Sequence, residues 1–194
     1  MGQEAASSNK EEIRARIRAR RRDREYDPAV AAAIAEHVTD IDEIAAAAKR
    51  HAVIACYVSR SEEPDSSLVR QALHALGAQV VVPRIDGTEL HWCFDDPQAQ
   101  WTTNSLGIQE PQGPSAHVQP EIFIVPALAI DHDGHRVGQG GGFYDRALTG
   151  AGNPLVIALV FEDEVLASVP HEPHDKPVDI AVTQARVRWF SMPD

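Results

Sequence analysis

The sequence predicts an α/β fold, a three-layer α/β/α arrangement around a mainly parallel open sheet. Two observations lead there. Val53–Val58, Ile122–Val125 and Leu155–Phe161 are short runs of continuous apolarity, strand-like in length but lacking the alternation of a strand with one wet face. Between such runs lie segments with helical patterning and capping residues, and that alternation is how parallel strands are connected. A chain of 194 residues is long enough for one substantial core.

Taken in order, residues 1–9 read as a disordered lead and residues 10–194 as a single domain. From Lys10 to Arg24 the chain turns basic, with eight cations against Glu11, Glu12 and Asp23. It has no helix breaker, and Ser8 or Asn9 could cap it. Ile13 and Ile17 share one helix face, and Lys10 and Arg14 share another. Asp27-Pro28 opens a second, alanine-rich helical stretch to about Lys49, broken near Thr39-Asp40. His51–Val58 reads as a buried strand. Ser59–Asp65 is a polar loop, and Ser66 or Ser67 opens a helix to Leu76 that Gly77 ends. Gln79–Val82 reads as a strand stopped by Pro83, and Leu90–Phe94 as its return after the Asp86-Gly87 turn. Pro97–Pro120 is a long irregular passage containing Trp101. After the Ile122–Val125 strand come a glycine-rich loop and a helix from Phe143. Pro154–Phe161 is a strand, Glu162 begins a short helix, His171–Pro177 is a loop, and Asp179–Thr183 and Val187–Phe190 are further strands.

Composition narrows the function. The net charge of −11 argues against nucleic acid as a general partner. No apolar run approaches the ~20 residues a membrane helix needs, and the N-terminal residues lack the apolar core of a secretory signal. Cys56 and Cys93 have no metal or redox spacing and read as reduced thiols. These features lead to the expectation of a soluble, cytoplasmic protein, and a monomer is the default expectation beside it.

The chemistry-bearing stretch is Gly134–Arg146, with Gly138, Gly140, Gly141 and Gly142 at its centre. Such a run frees the backbone for positive φ and lets N–H groups face an anion at a helix start. Arg136 and Arg146 add positive charge, and Asp145 adds a hard oxygen ligand of the kind Mg²⁺ takes. These residues suggest a phosphate cradle, although glycine-rich turns also serve as plain connections. His132, Asp133 and His135 lack metal-ligand spacing and read as a polar turn.

Six motifs in this order resemble the 5-formyltetrahydrofolate cyclo-ligase family over almost the whole chain. They are Lys10-x-x-Ile13-Arg14, Glu63-Pro64-Asp65, Gly107-Ile108-Gln109-Glu110-Pro111, Val125–Asp131, the glycine block through Arg146, and His174-Asp175-x-Pro177-x-Asp179. The resemblance implies a Rossmann-like sheet similar to that of sugar-phosphate isomerases. It implies that ATP, with Mg²⁺, drives closure of 5-formyltetrahydrofolate to 5,10-methenyltetrahydrofolate, releasing ADP and phosphate after phosphorylation of the formyl oxygen. By position it makes Lys10, Arg14, Arg136 and Gly138 through Tyr144 (Gly138, Gln139, Gly140, Gly141, Gly142, Phe143, Tyr144) the ATP contacts. Glu63 and Gln139 through Phe143 would bind the folate, Arg136 and Tyr144 would act in catalysis, and Asp145 and Asp175 would hold Mg²⁺. Gln139 stands where the family commonly has Tyr or Arg, and Phe143 replaces the first of two usual tyrosines. Ala127 and Ala129-Ile130 also depart from the pattern. The alternatives are a non-catalytic nucleotide- or folate-binding relative and a sugar-phosphate isomerase.

Overall fold

A computed structural model describes residues 2–172 and 175–190. In chain order the elements are α1 (Gly2–Arg22), α2 (Pro28–Thr39), α3 (Asp42–Lys49), β1 (Val53–Cys56), α4 (Ser67–Ala75), β2 (Gln79–Asp86), β3 (Glu89–Phe94), β4 (Gln100–Thr103), β5 (Gln109–Gln112), β6 (Ile122–Pro126), β7 (Ala129–Ile130), β8 (Arg136–Val137), α5 (Phe143–Thr149), β9 (Leu155–Leu159), a 3-10 turn (Glu162–Glu164), β10 (Ile180–Val182) and β11 (Val187–Trp189).

Seven strands form the main sheet in the order β11-β10-β9-β6-β1-β2-β3. The inner five run parallel, and β3 and β11 close the two edges antiparallel. Why the inner strands are continuously apolar follows from their two buried faces. Ile54, Cys56, Ile122, Ile124, Ile157 and Ile180 point to one side, against Ile34 and Val38 of α2 and Leu73 of α4. Ala55, Phe123, Val125, Val156, Ala158 and Ala181 point to the other, where Leu148 of α5 packs. Alternate residues of each strand thus serve opposite layers, and none can be polar. Ile34 and Val38, one helical turn apart, are both fully buried, and each side chain contributes about 1.5–3 kcal/mol by leaving water.

The structure corrects four details. Helix α1 begins at Gly2 and so takes in residues expected to form a lead. Strand β2 runs through Pro83 to Asp86. β1 pairs with it only as far as Val81, so Pro83 lies where β3 is the one ladder neighbour, the edge setting in which proline is tolerated. The Pro97–Pro120 passage contains the antiparallel β4–β5 hairpin. The glycine loop does not follow β6 directly, because the short β7–β8 ribbon intervenes.

Helix α1 is fastened by the basic run itself. Arg21 is buried, and its Nε and Nη2 donate to the two carboxylate oxygens of Glu164 at 2.7 and 2.6 Å. Nη2 also donates to the Ala127 carbonyl at 2.7 Å. Arg24 donates to both oxygens of Asp163 and stacks 4.0 Å over the Phe161 ring. The Glu162-Asp163-Glu164 turn is therefore the acidic counterpart of the arginines. Among the described residues no helix is long and apolar enough to cross a membrane.

Candidate active site

The inner strands, taken in chain order, stand second, first, third, fourth, fifth across the sheet. In such doubly wound sheets a ligand crevice opens at the carboxyl ends of the first and third strands, where the direction of winding reverses. A cleft of about 740 Å³ lies there, reached by Tyr57 just beyond β1 and by Pro126 at the end of β6.

Two stripes on α1 explain how a basic helix serves this cleft. Ile13, Ile17 and Arg21, spaced four apart, face inward. Ile17 is fully buried, and Ile13 packs on the cluster of Ala129, Val137 and Val169. Lys10, Arg14 and Arg18, also four apart, form the neighbouring stripe and line the cleft. Lys10 Nζ donates to Asp175 Oδ2 at 2.6 Å. Arg14 Nε donates to the Gly138 carbonyl at 3.0 Å, and Arg18 Nη2 to the Gln139 carbonyl at 2.7 Å. The anchored stripe holds the cationic stripe against the glycine loop.

Within that loop the glycines have separate reasons. Gly142 has φ +65°, a left-handed geometry that side chains resist, and a Cβ there would meet Arg146 Nη1 at 2.7 Å. At Gly141 a Cβ would meet the Phe143 ring, also at 2.7 Å. The ring therefore needs this glycine, whatever the loop binds. Arg146 lies over the Phe143 ring, 5.2 Å from its centroid.

Arg136 enters from β8 beneath the loop and is buried. Its Nη2 donates to Asp145 Oδ1 at 2.5 Å, while its buried Nε has no hydrogen-bond partner among the described residues. A buried donor without an acceptor costs about 1–3 kcal/mol, and an anion in the cleft would supply that acceptor.

Glu63 comes from a loop built by its own polar groups. Tyr57 donates to the Pro64 carbonyl, and Ser66 Oγ to the Tyr57 carbonyl. Glu63 is buried, accepting from Arg60 N at 3.0 Å and from Gln139 Nε2 at 2.9 Å. Gln139 thus ties the acidic loop to Arg18, whose Nε donates to its Oε1 at 3.3 Å. Tyr144 packs against both core clusters. Burial, then the nearby Cys56 and Glu63, push its phenol well above the usual range against the pull of Arg136. The hydroxyl therefore stays protonated at neutral pH and can donate.

The structure thus places every candidate site residue around one cleft: Lys10, Arg14, Glu63, Arg136, the loop from Gly138 to Tyr144, Asp145 and Asp175. His174 lies outside the described residues. Asp145 and Asp175, the expected Mg²⁺ ligands, border the same space, each held by a cation (Arg136 and Lys10). One grouping of three potential metal ligands occurs among the described residues, namely Asp131, His135 and His171. Asp131 there accepts from three backbone N–H groups, those of Asp133, His135 and Val169. The two imidazoles stack 3.6 Å apart and 4° from parallel. Ring-nitrogen lone pairs lie in the ring planes, so parallel stacked rings cannot both aim at one ion. Asp131 caps the turn through those three bonds, and His132 and Asp133 lie outside the grouping.

Arg18, Arg60, Glu110 and Glu172 also line the cleft, as do Leu90 and Ile108. The four-residue spacing from Lys10 and Arg14 points to Arg18. Ile108 and Glu110 belong to the Gly107-Ile108-Gln109-Glu110-Pro111 motif, although no spacing within it shows that they reach the cleft.

Fold and site together define an α/β protein of the doubly wound kind, with a cationic glycine-loop cleft at its switch point. The family model for the 5-formyltetrahydrofolate cyclo-ligase family matches residues 6–184. The chain belongs to that family. It is 35% identical over 144 residues to a 5-formyltetrahydrofolate cyclo-ligase of Mycolicibacterium smegmatis, covering 69% of this chain and 74% of that one. It is 28% identical over 143 residues to the enzyme of that name from Escherichia coli K12, covering 69% and 79% of the two chains. The solved structure of a 5,10-methenyltetrahydrofolate synthetase from Aquifex aeolicus shares the fold, with a TM-score of 0.80, 22% identity and coverage of 95% of this chain and 94% of that one.

Proposed function

We propose that this chain closes the ring of 5-formyltetrahydrofolate to give 5,10-methenyltetrahydrofolate, with ATP phosphorylating the formyl oxygen and ADP and phosphate as co-products. The observation that carries this reading is the convergence of Lys10, Arg14, Arg136 and the glycine loop with two carboxylates on one cleft.

An amide-like oxygen leaves poorly. Transfer of the γ-phosphoryl group to it makes phosphate the leaving group, and the N10 lone pair then attacks the activated carbon. The new C–N bond forms in that addition, N10 gives up its proton, and the C–O bond then breaks as phosphate leaves. Phosphoryl transfer asks a protein mainly for alignment and charge neutralisation. Arg136 supplies charge and an unfilled Nε–H beneath the loop. Lys10 and Arg14 bring charge from the facing helix, and Tyr144 offers a hydroxyl donor. Glu63, fixed by two hydrogen bonds, presents a carboxylate that would hydrogen-bond the pterin or position the formyl-bearing end of the folate. Asp145 and Asp175 would hold Mg²⁺, which would neutralise phosphate charge. Both suit it as hard oxygen donors, and phosphate oxygens would take over the cations that hold them now.

The test mixes the protein with 5-formyltetrahydrofolate, Mg²⁺ and ATP and follows growth of the methenyl-folate absorption band. The band should grow and should need both Mg²⁺ and ATP. A flat trace with each ligand bound would instead leave a binding relative without turnover.

Lys10→Ala tests the helix. A charge-assisted hydrogen bond is worth about 1.5–3 kcal/mol, so KM for ATP should rise about 10- to 100-fold, with KM for the folate little changed. Equal increases in both would show that Lys10 acts by holding α1 in place.

A further inference from the structure

A second cleft of about 450 Å³ adjoins the first and shares Val58, Arg60 and Glu63 with it. Its remaining walls include Arg70 and Trp101. Arg60 Nε is buried without a hydrogen-bond partner, and among the described residues its guanidinium makes no ion pair. Arg70 gives Nη1 to Asp95 Oδ1 at 2.5 Å, while its own Nε is likewise buried and unpartnered. Its Cζ stands 5.8 Å from the Trp101 ring centroid.

The acids at this cleft are already supplied with donors. Glu63 accepts from Arg60 N and from Gln139, and Asp65 accepts from Ser67 N at 2.8 Å and from the Tyr26 hydroxyl at 3.2 Å. The groups lacking partners are therefore N–H donors on two arginines beside an indole face. Such a place suits an anion carried on a flat ring: guanidinium pairs well with carboxylate, and aromatic faces pack on one another.

We infer that this second cleft receives the aryl-glutamyl end of the folate, with Arg60 pairing a glutamyl carboxylate and Trp101 walling the aryl ring. The inference rests on the function proposed above. The reacting formyl group and N10 would sit in the main cleft, and the shared wall at Val58 and Arg60 lets one long ligand span both. Arg60 is then a specificity residue, reading the glutamate and taking no part in the chemistry.

The probe pair is 5-formyltetrahydrofolate and 5-formyltetrahydropteroate, which keeps the pterin, N10 and the aryl ring but lacks the glutamate. Equilibrium binding, which needs no turnover, should show the wild-type protein favouring the glutamate-bearing compound by about 10-fold or more, the scale of one charge-assisted hydrogen bond. Arg60→Ala should bring that ratio close to one, and Arg60→Lys should restore part of it. Equal affinity of the wild-type protein for the two compounds overturns the inference while leaving the proposed reaction standing, whether or not the variants fold. A preference that survives in folded Arg60→Ala also overturns it. Failure of the wild-type protein to bind either compound overturns both readings.

Discussion

Replacing Arg136 with alanine is expected to lower kcat/KM for ATP-dependent ring closure by about 10³-fold, the lower end of what a transition-state arginine contributes in phosphoryl transfer. Arg136 is the buried cation beneath the glycine loop, ion-paired to Asp145 and still holding a buried Nε without an acceptor. Arg14 and Arg18 spend donors on the loop's own carbonyls, and Lys10 reaches the cleft from the facing helix, so among the described residues Arg136 is the buried cation beneath the loop with an unfilled Nε–H. The fold should survive, because the side chain of Asp145 is 40% exposed and water can solvate the carboxylate left behind. Arg136→Lys should recover only part of the activity, since an ammonium keeps the charge but loses the planar fork. Steady-state kinetics with a thermal melt on the same samples decide the matter. A loss below ten-fold, or one matched by unfolding at the assay temperature, would remove Arg136 from the chemistry.

The central sheet was legible because its physics leaves no choice of residue. β1, β6 and β9 are buried on both faces, so every position is apolar and the run stands out against its surroundings. The β4–β5 hairpin was not legible. Trp101 is its half-buried strand residue on one side and Pro111 sits in the other strand, and a mostly solvated ribbon has neither alternation nor continuity to show. β7 and β8 are two residues each, too short for any periodicity. Pro83 misled for a related reason: what permits it is the place where β1 stops pairing, a tertiary fact that β2 does not record.

The site divides in the same way. Lys10 and Arg14 could be found because helix geometry converts four-residue spacing into one stripe, and the same rule covers Arg18. The glycine run announced a constrained backbone, but its reasons were hidden. Gly141 makes room for Phe143, and Gly142 holds a left-handed turn over Arg146. Gln139, which departs from the usual family residue, has a partner on each side, Arg18 and Glu63. Those partners are far from it in sequence, so no local pattern could supply them.

The arginines beyond Arg18 carry the second large expected effect. Glu164→Ala should destabilise the protein by about 3–5 kcal/mol, the cost of breaking a buried pair and leaving one charge behind. Glu164 is completely buried, and its carboxylate accepts three hydrogen bonds, two from Arg21 and one from Phe161 N at 3.0 Å. Removing it strands a guanidinium that, among the described residues, keeps the Ala127 carbonyl alone as acceptor. At about 2–4 °C per kcal/mol for a chain of this size, Tm should fall by roughly 6–20 °C. Glu164→Gln should cost less, because its amide oxygen can still accept. Replacing both partners by methionine should cost less than Glu164→Ala, since a buried pair exchanged for apolar side chains can be nearly neutral. The same variants report on the site. If Arg21–Glu164 is what holds the cationic stripe of α1 against the glycine loop, Glu164→Ala should weaken ATP binding even at temperatures where it remains folded, and the methionine pair should recover that affinity along with Tm. A melt within 2 °C of the parent protein would mean that α1 is fastened by Ile13, Ile17 and Arg24 instead.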